Sequence, residues 1–105
     1  MPKYQVGDVV LAHFPYEDKI ETKPRPAVII EVYPDCSFTC MVTGTDKSET
    51  NRGFLVKKNS PEGKQMSIDK DSFIDADRTV ELKNYMIRGV IGYCPYIEKL
   101  EEMLL

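Results

Sequence analysis

The feature that most limits how this chain can fold is Arg25, set between Pro24 and Pro26 at the head of the aliphatic run Ala27 to Val32. Proline fixes its own φ and pushes the residue before it toward extended geometry, so Arg25 is held stiffly at the mouth of a strand. Upstream, Val9, Leu11 and His13 fall on one face of an extended segment and Val10, Ala12 and Phe14 on the other. A run that is apolar on both faces reads as a strand, and Pro15 ends it because proline cannot donate to a ladder. Between the two runs, Tyr16 to Lys23 has no apolar period and carries Glu17, Asp18, Lys19, Glu21 and Lys23, which is loop chemistry. Gly7 to Ile30 is thus expected to form a hairpin-like unit that presents Arg25.

The remainder continues in short extended pieces. Pro34-Asp35 signals a turn, and Ser37 to Thr43 alternates Phe38, Cys40 and Val42 with Thr39, Met41 and Thr43. Gly44 to Arg52 is polar, Gly53 to Lys57 reads as a strand, Asn59 to Gly63 as a dense turn cluster, and Lys64 to Ile68 as extended. Leu82 to Arg88 contains a short turn or helical piece, and Gly89 to Tyr93 is expected to be the last strand. Cys94-Pro95 then opens a helix in which Tyr96, Leu100 and Met103, with Ile97 and Leu104, form an apolar stripe, while Glu98, Lys99, Glu101 and Glu102 face away. Six or seven short strands followed by one helix predict a mainly β fold, a small barrel with a C-terminal helix.

At 105 residues the chain suits one domain, 1–105, with a single core. A net charge of −3 and a pI of about 5.1 argue against a general nucleic-acid binder, although a local basic rim suffices for a short single strand. The three cysteines, Cys36, Cys40 and Cys94, form no CxxC pair and meet only one histidine, so they read as reduced packing residues and no metal site is expected. With no P-loop, GxGxxG or HExxH, no cofactor is expected either. Neither a signal-peptide core nor an apolar run of about 18 residues is present, so a cytoplasmic protein without membrane contact is expected.

Gly7-Asp8-Val9-Val10, then Phe14-Pro15-Tyr16, then Arg25-Pro26-Ala27-Val28-Ile29-Ile30 ten residues after Pro15 together resemble the opening of the MazF/PemK family of bacterial toxin endoribonucleases. Two further matches follow. Thr43-Gly44-Thr45-Asp46 lies where the family has Pro-aliphatic-Thr-Ser, which puts Thr45 on its threonine; Asp75 and Arg78-Thr79-Val80 lie where it has an aspartate three residues before Arg-Thr-Ile. This chain departs from the pattern at Gly44, at Asp46, and at Phe73, where some members carry a second arginine. The resemblance implies an SH3-like barrel of the MazF/CcdB type and a symmetric homodimer. It also implies a toxin of a type II toxin-antitoxin system, an mRNA interferase that cleaves single-stranded RNA and binds a cognate antitoxin protein.

RNA can be cleaved without metal by its own 2′-hydroxyl, provided the chain is held in line and the added charge on phosphorus is stabilised. A fixed arginine and a hydroxyl donor suit that work, and the resemblance implies that Arg25 and Thr45 are the catalytic pair. His13, Asp18 and Asp46 are the candidate bases, and Asp46 has the alternative of pairing with Arg25. Tyr16 would stack a base, and Lys19, Lys23, Lys47 and Arg52 would contact phosphates. Arg78 is expected to be a buried arginine that ties strands together through Asp75 or Asp77. Two rival readings are a catalytically weak homologue that serves as a protein-binding or regulatory module, and a CcdB-like gyrase inhibitor. Against the latter, the chain ends Met103-Leu104-Leu105 and has no tryptophan.

Overall fold

In the computed structural model, residues 4–14 and 24–104 are described. The elements are β1 (Asp8–Ala12), β2 (Arg25–Val32), β3 (Cys36–Thr43), β4 (Gly53–Val56), α1 (Pro61–Met66), β5 (Ser72–Lys83), β6 (Ile87–Tyr93) and α2 (Ile97–Leu104), with one 3₁₀ turn at Asn84–Met86. The strands make one antiparallel sheet in the order β4-β5-β3-β2-β1-β6. Register shifts interrupt it between Val9 and Val10 and between Leu11 and Ala12 against β6, between Ile29 and Glu31 against β3, and between Cys40 and Met41 against β5. Such bulges bend and twist a sheet, which here curls it into a barrel-like body. The mainly β fold with a C-terminal helix is as the sequence led one to expect.

The two faces of the sheet fill two cores. Val9, Val28, Cys40 and Val42 share one face with Ile74 and Ala76 and pack beneath Ile97 and Leu100 of α2. Val10, Ala12, Ala27 and Ile29 belong to the other, with Tyr4, Leu82 and Ile87. This is why β1 is apolar on both sides, since its period of two feeds two cores. Burying a large aliphatic side chain such as Leu100 stabilises by about 1.5–3 kcal/mol, and the charged side chains Glu98, Lys99, Glu101 and Glu102 stay exposed.

Three expectations need correction. Pro61–Met66 is a helix rather than a turn followed by a strand. The Ser60 hydroxyl accepts from the Gly63 N–H at 3.0 Å and Pro61 occupies the first turn, a complete N-terminal signal that the neighbouring Asn59 and Gly63 disguised as a turn cluster. The helix closes at Ser67, whose φ of 61° is left-handed, and rests on β6 so closely that a Cβ on Gly92 would come within 2.5 Å of the Gln65 carbonyl oxygen. The last helix begins at Ile97, two residues beyond Pro95. Finally, β5 runs on through Lys83, so Leu82 lies in a strand and the helical piece shrinks to Asn84–Met86.

Candidate active site

Because neighbouring strands are antiparallel, one end of the sheet collects the C-terminal ends of β1, β3 and β4 and the N-terminal ends of β2, β5 and β6. Four pairs mark it: Ala12 with Arg25, Ala12 with Ile87, Thr43 with Phe73, and Val56 with Ser72. His13, Arg25, Thr43 to Asp46, Lys57, Asp71 and Arg88 therefore gather at this end although they span 75 positions of sequence.

Arg25 is exposed at the start of β2, and no ion pair engages it among the described residues. Ala27 pairs with Met41, and Arg25 and Thr43 each lie two residues from that pair, so they fall on the same face of the sheet. Thr45 is exposed in the turn beyond β3, where its N–H donates to the Thr43 hydroxyl at 3.2 Å. Thr43, a hydroxyl that sequence reasoning did not single out, thus stands between Arg25 and Thr45.

The candidate bases separate. Asp46 Oδ1 accepts from the Ser48 hydroxyl at 2.6 Å and from the Ser48 N–H at 2.9 Å. The side-chain bond first, then the backbone bond, hold its carboxyl below the usual carboxylate range, with the Lys57 charge adding to the effect. Among the described residues Asp46 forms no ion pair with Arg25. His13 is half-buried, and its Nε2 lies 3.1 Å from Arg88 Nη1. A guanidinium only donates, so Nε2 is the acceptor and the ring proton sits on Nδ1. Asp18 lies outside the described residues, as do Tyr16, Lys19 and Lys23.

Lys70 enters where the sequence gave no hint. Its side chain lies along the backbone of Gly44, so close that a Cβ there would fall 2.7 Å from Lys70 Cε and 2.9 Å from Nζ. The glycine that departs from the family pattern therefore makes room for an ammonium beside Thr45. Phe73, another of the three departures, is 1% exposed and packs against Gly53. A cavity of about 170 Å³ adjoins this turn, lined by Gly44, Asp46, Leu55, Lys57, Asp71 and Ser72 among others.

Arg52, expected at phosphate, is instead held within the fold at the opposite end of β4. Its Nε donates to Asp77 Oδ1 at 2.9 Å, Nη2 lies 2.8 Å from the same oxygen, and Nη1 donates to the Met103 carbonyl at 2.7 Å. The Arg52 N–H also donates to Asp77 Oδ2 at 2.7 Å; this backbone bond, followed by the side-chain one, lowers the Asp77 pKa. Arg78 is exposed rather than buried. The buried Asp75 is reached by Asn51, whose Nδ2 donates at 2.8 Å, and by the Asp77 N–H at 3.0 Å. Lys47 is half-buried and its carbonyl accepts from the N–H groups of Thr50 and Asn51, which shapes the turn that carries Thr45.

Among the described residues no three His, Cys, Asp or Glu side chains converge as a metal-ligand set, and no helix is long and apolar enough to cross a membrane. Comparison with protein-family models and with curated proteins returns no match for this chain.

Proposed function

We propose that this chain is a MazF/PemK-like cytoplasmic toxin, an endoribonuclease that cuts single-stranded RNA through attack of the substrate's own 2′-hydroxyl. The observation that carries the reading is the guanidinium of Arg25, without an ion pair among the described residues, on the same face of the sheet as Thr43, whose hydroxyl accepts from the Thr45 N–H. In this scheme Arg25 binds the non-bridging oxygens of the scissile phosphate with paired donors, Thr45 adds a donor from the turn after β3, and Lys70 adds one from the connection between α1 and β5. Fixed donors of this kind act on the charge that builds in the transition state and are each worth about 10²–10³ in rate. Arg25 is not the proton carrier, since arginine stays protonated in proteins. The net charge of −3 does not by itself oppose the reading, because Arg25, Lys70 and Arg88 bring three cations to one end of the sheet, where Lys57 pairs with Asp71. Under the same proposal the protein acts as a homodimer and is neutralised by an antitoxin whose disordered segment orders across the Arg25 surface.

Two observations favour a second reading, a catalytically weak binding module: Arg88 occupies His13 Nε2, and Ser48 lowers the basicity of Asp46. Expression of the chain alone separates the two. The toxin reading expects growth arrest together with cellular mRNA fragments that begin in a 5′-hydroxyl; normal growth with intact mRNA supports the module.

A further inference from the structure

We propose that the cavity beside Gly44 is a nucleobase subsite that accepts an amino-bearing base, adenine, cytosine or guanine, and rejects uracil, with Asp46 as the discriminating residue. The inference rests on the RNA reading and narrows its substrate. The cavity measures about 170 Å³ and includes Gly44 and Asp46, the two residues that flank Thr45. A base seated there is the neighbour of a phosphate held by Thr45 and by the Lys70 ammonium that lies against Gly44. Leu55, 53% exposed, gives the cavity an apolar wall of the kind on which the face of a base packs.

Polar groups set the selection. Asp71 is already matched, since Oδ1 accepts from the Lys58 N–H at 2.8 Å and Oδ2 lies 3.7 Å from Lys57 Nζ. Asp46 differs: both Ser48 bonds fall on Oδ1, and among the described residues Oδ2 carries none. An ionised carboxylate accepts and never donates. The same Ser48 bonds that weaken Asp46 as a base keep it ionised, so at neutral pH it presents a fixed acceptor to whatever enters. Adenine and cytosine offer an exocyclic amino group and guanine an amino group beside an N–H, whereas the N–H of uracil is flanked by two carbonyl oxygens that a carboxylate repels. The serine usual at this position in the resembled family both donates and accepts, and would not discriminate in this way.

The test uses the full chain in EDTA with a pool of single-stranded RNA randomised over seven positions, cut by wild type, Asp46→Asn and Asp46→Ser, with the new ends sequenced. Within two nucleotides of the cut, one position is expected to exclude uracil by about tenfold or more, the discrimination of one good polar contact to a base. Both variants are expected to relax that position more than any other. Uracil accepted equally throughout, or a motif unmoved by both variants, overturns the subsite while leaving the ribonuclease reading intact. If wild type cuts nothing, the ribonuclease reading fails on its own, and binding of labelled heptamers of uridine, adenosine and cytidine decides the subsite. Tighter binding of the adenosine and cytidine heptamers, lost in Asp46→Asn, sustains it; equal binding of all three overturns it.

Discussion

Asn51 donates from Nδ2 to the carboxylate of Asp75 at 2.8 Å, and Asp75 is fully buried. This bond fastens the segment between β3 and β4 onto the middle of β5, and that segment carries Thr45 and Asp46. The placement of the turn that carries Thr45 thus depends on a contact across 24 residues of sequence.

Asn51→Ala removes that donor and leaves a buried carboxylate short of a partner, an expected cost of about 1–3 kcal/mol. Urea denaturation measures it. Asn51→Asp, which sets a second carboxylate against the first, is expected to cost more. Loss of RNA cleavage at temperatures where the Asn51→Ala protein is still folded would show that the contact positions the turn as well as stabilising the sheet.

Arg52 tests the distinction between structure and binding. Its guanidinium joins the start of β4 to Asp77 of β5 and to the Met103 carbonyl of α2. Arg52→Ala is expected to lower the melting temperature while the cleavage rate of the folded protein changes by less than about threefold, within the scatter of a residue remote from the chemistry. The pH profile carries the same signature. The folded-state pKa of Asp77 lies below its unfolded value, so its contribution is complete above the usual carboxylate range and is lost as pH falls through the lowered value. Asp77→Asn flattens that acid limb.

For the cysteines, burial first, and then neighbouring Cys94 and Asp75, push Cys40 to about 12, while burial pushes Cys94 to about 11. Burial and the hydrogen bond to Glu81 also raise Cys36. All three are free and buried. Iodoacetamide at pH 8 is therefore expected to leave the native protein unmodified and to alkylate every thiol in guanidinium, because the thiolate is the nucleophile. The sign of the accompanying pH effect is opposite to that of Asp77. The native state retains thiol protons that the unfolded chain gives up, so stability is complete below about 8.5, the ordinary thiol pKa, and declines as pH rises toward the folded values.

The Ser37 hydroxyl is the one buried side-chain polar atom without a hydrogen-bond partner among the described residues. Ser37→Ala removes a desolvated hydroxyl that gains nothing in return, so the expected change runs from neutral to about 1 kcal/mol more stable. Thermal unfolding compares the two proteins directly.

What the sequence revealed followed from periodicity. Val9 to Ala12 and Ala27 to Val32 alternate between two cores, Cys40 and Val42 of β3 enter the first of them, and the Ile97, Leu100 and Leu104 stripe needs a sheet to cover it, so the strands and α2 were legible. Helix α1 was not, because Ser60, Pro61 and Gly63 serve turns and helix starts alike, and the deciding Ser60–Gly63 bond is a matter of geometry. The strand start at Arg25 was legible through its flanking prolines, and side-chain pairings were opaque wherever tertiary partners decide. Arg52 looked like any loop cation until Asp77, 25 residues on, engaged it, and Arg88 meets His13 across 75 residues. Lys70 became relevant only because Gly44 leaves it room.

His13 divides the two functional readings. With Nε2 accepting from Arg88, its ring serves the scaffold, and His13→Ala is expected to slow cleavage by less than about tenfold, against the 10²–10⁴ that loss of a positioned base would bring. A loss of that larger size would return His13 to the role of base.

The most direct test of the central claim is the cleavage rate of Arg25→Ala on a long unstructured RNA in EDTA, measured beside wild type with the new ends mapped. Arg25 is exposed and free of ion pairs among the described residues, so the variant is expected to melt within about 0.5 kcal/mol of wild type. Wild type is expected to cut at one short sequence and leave a 5′-hydroxyl, and the variant to lose about 10²–10³ in rate. Cleavage by Arg25→Ala at the wild-type rate, or RNA left intact by wild type at high concentration, would contradict the account.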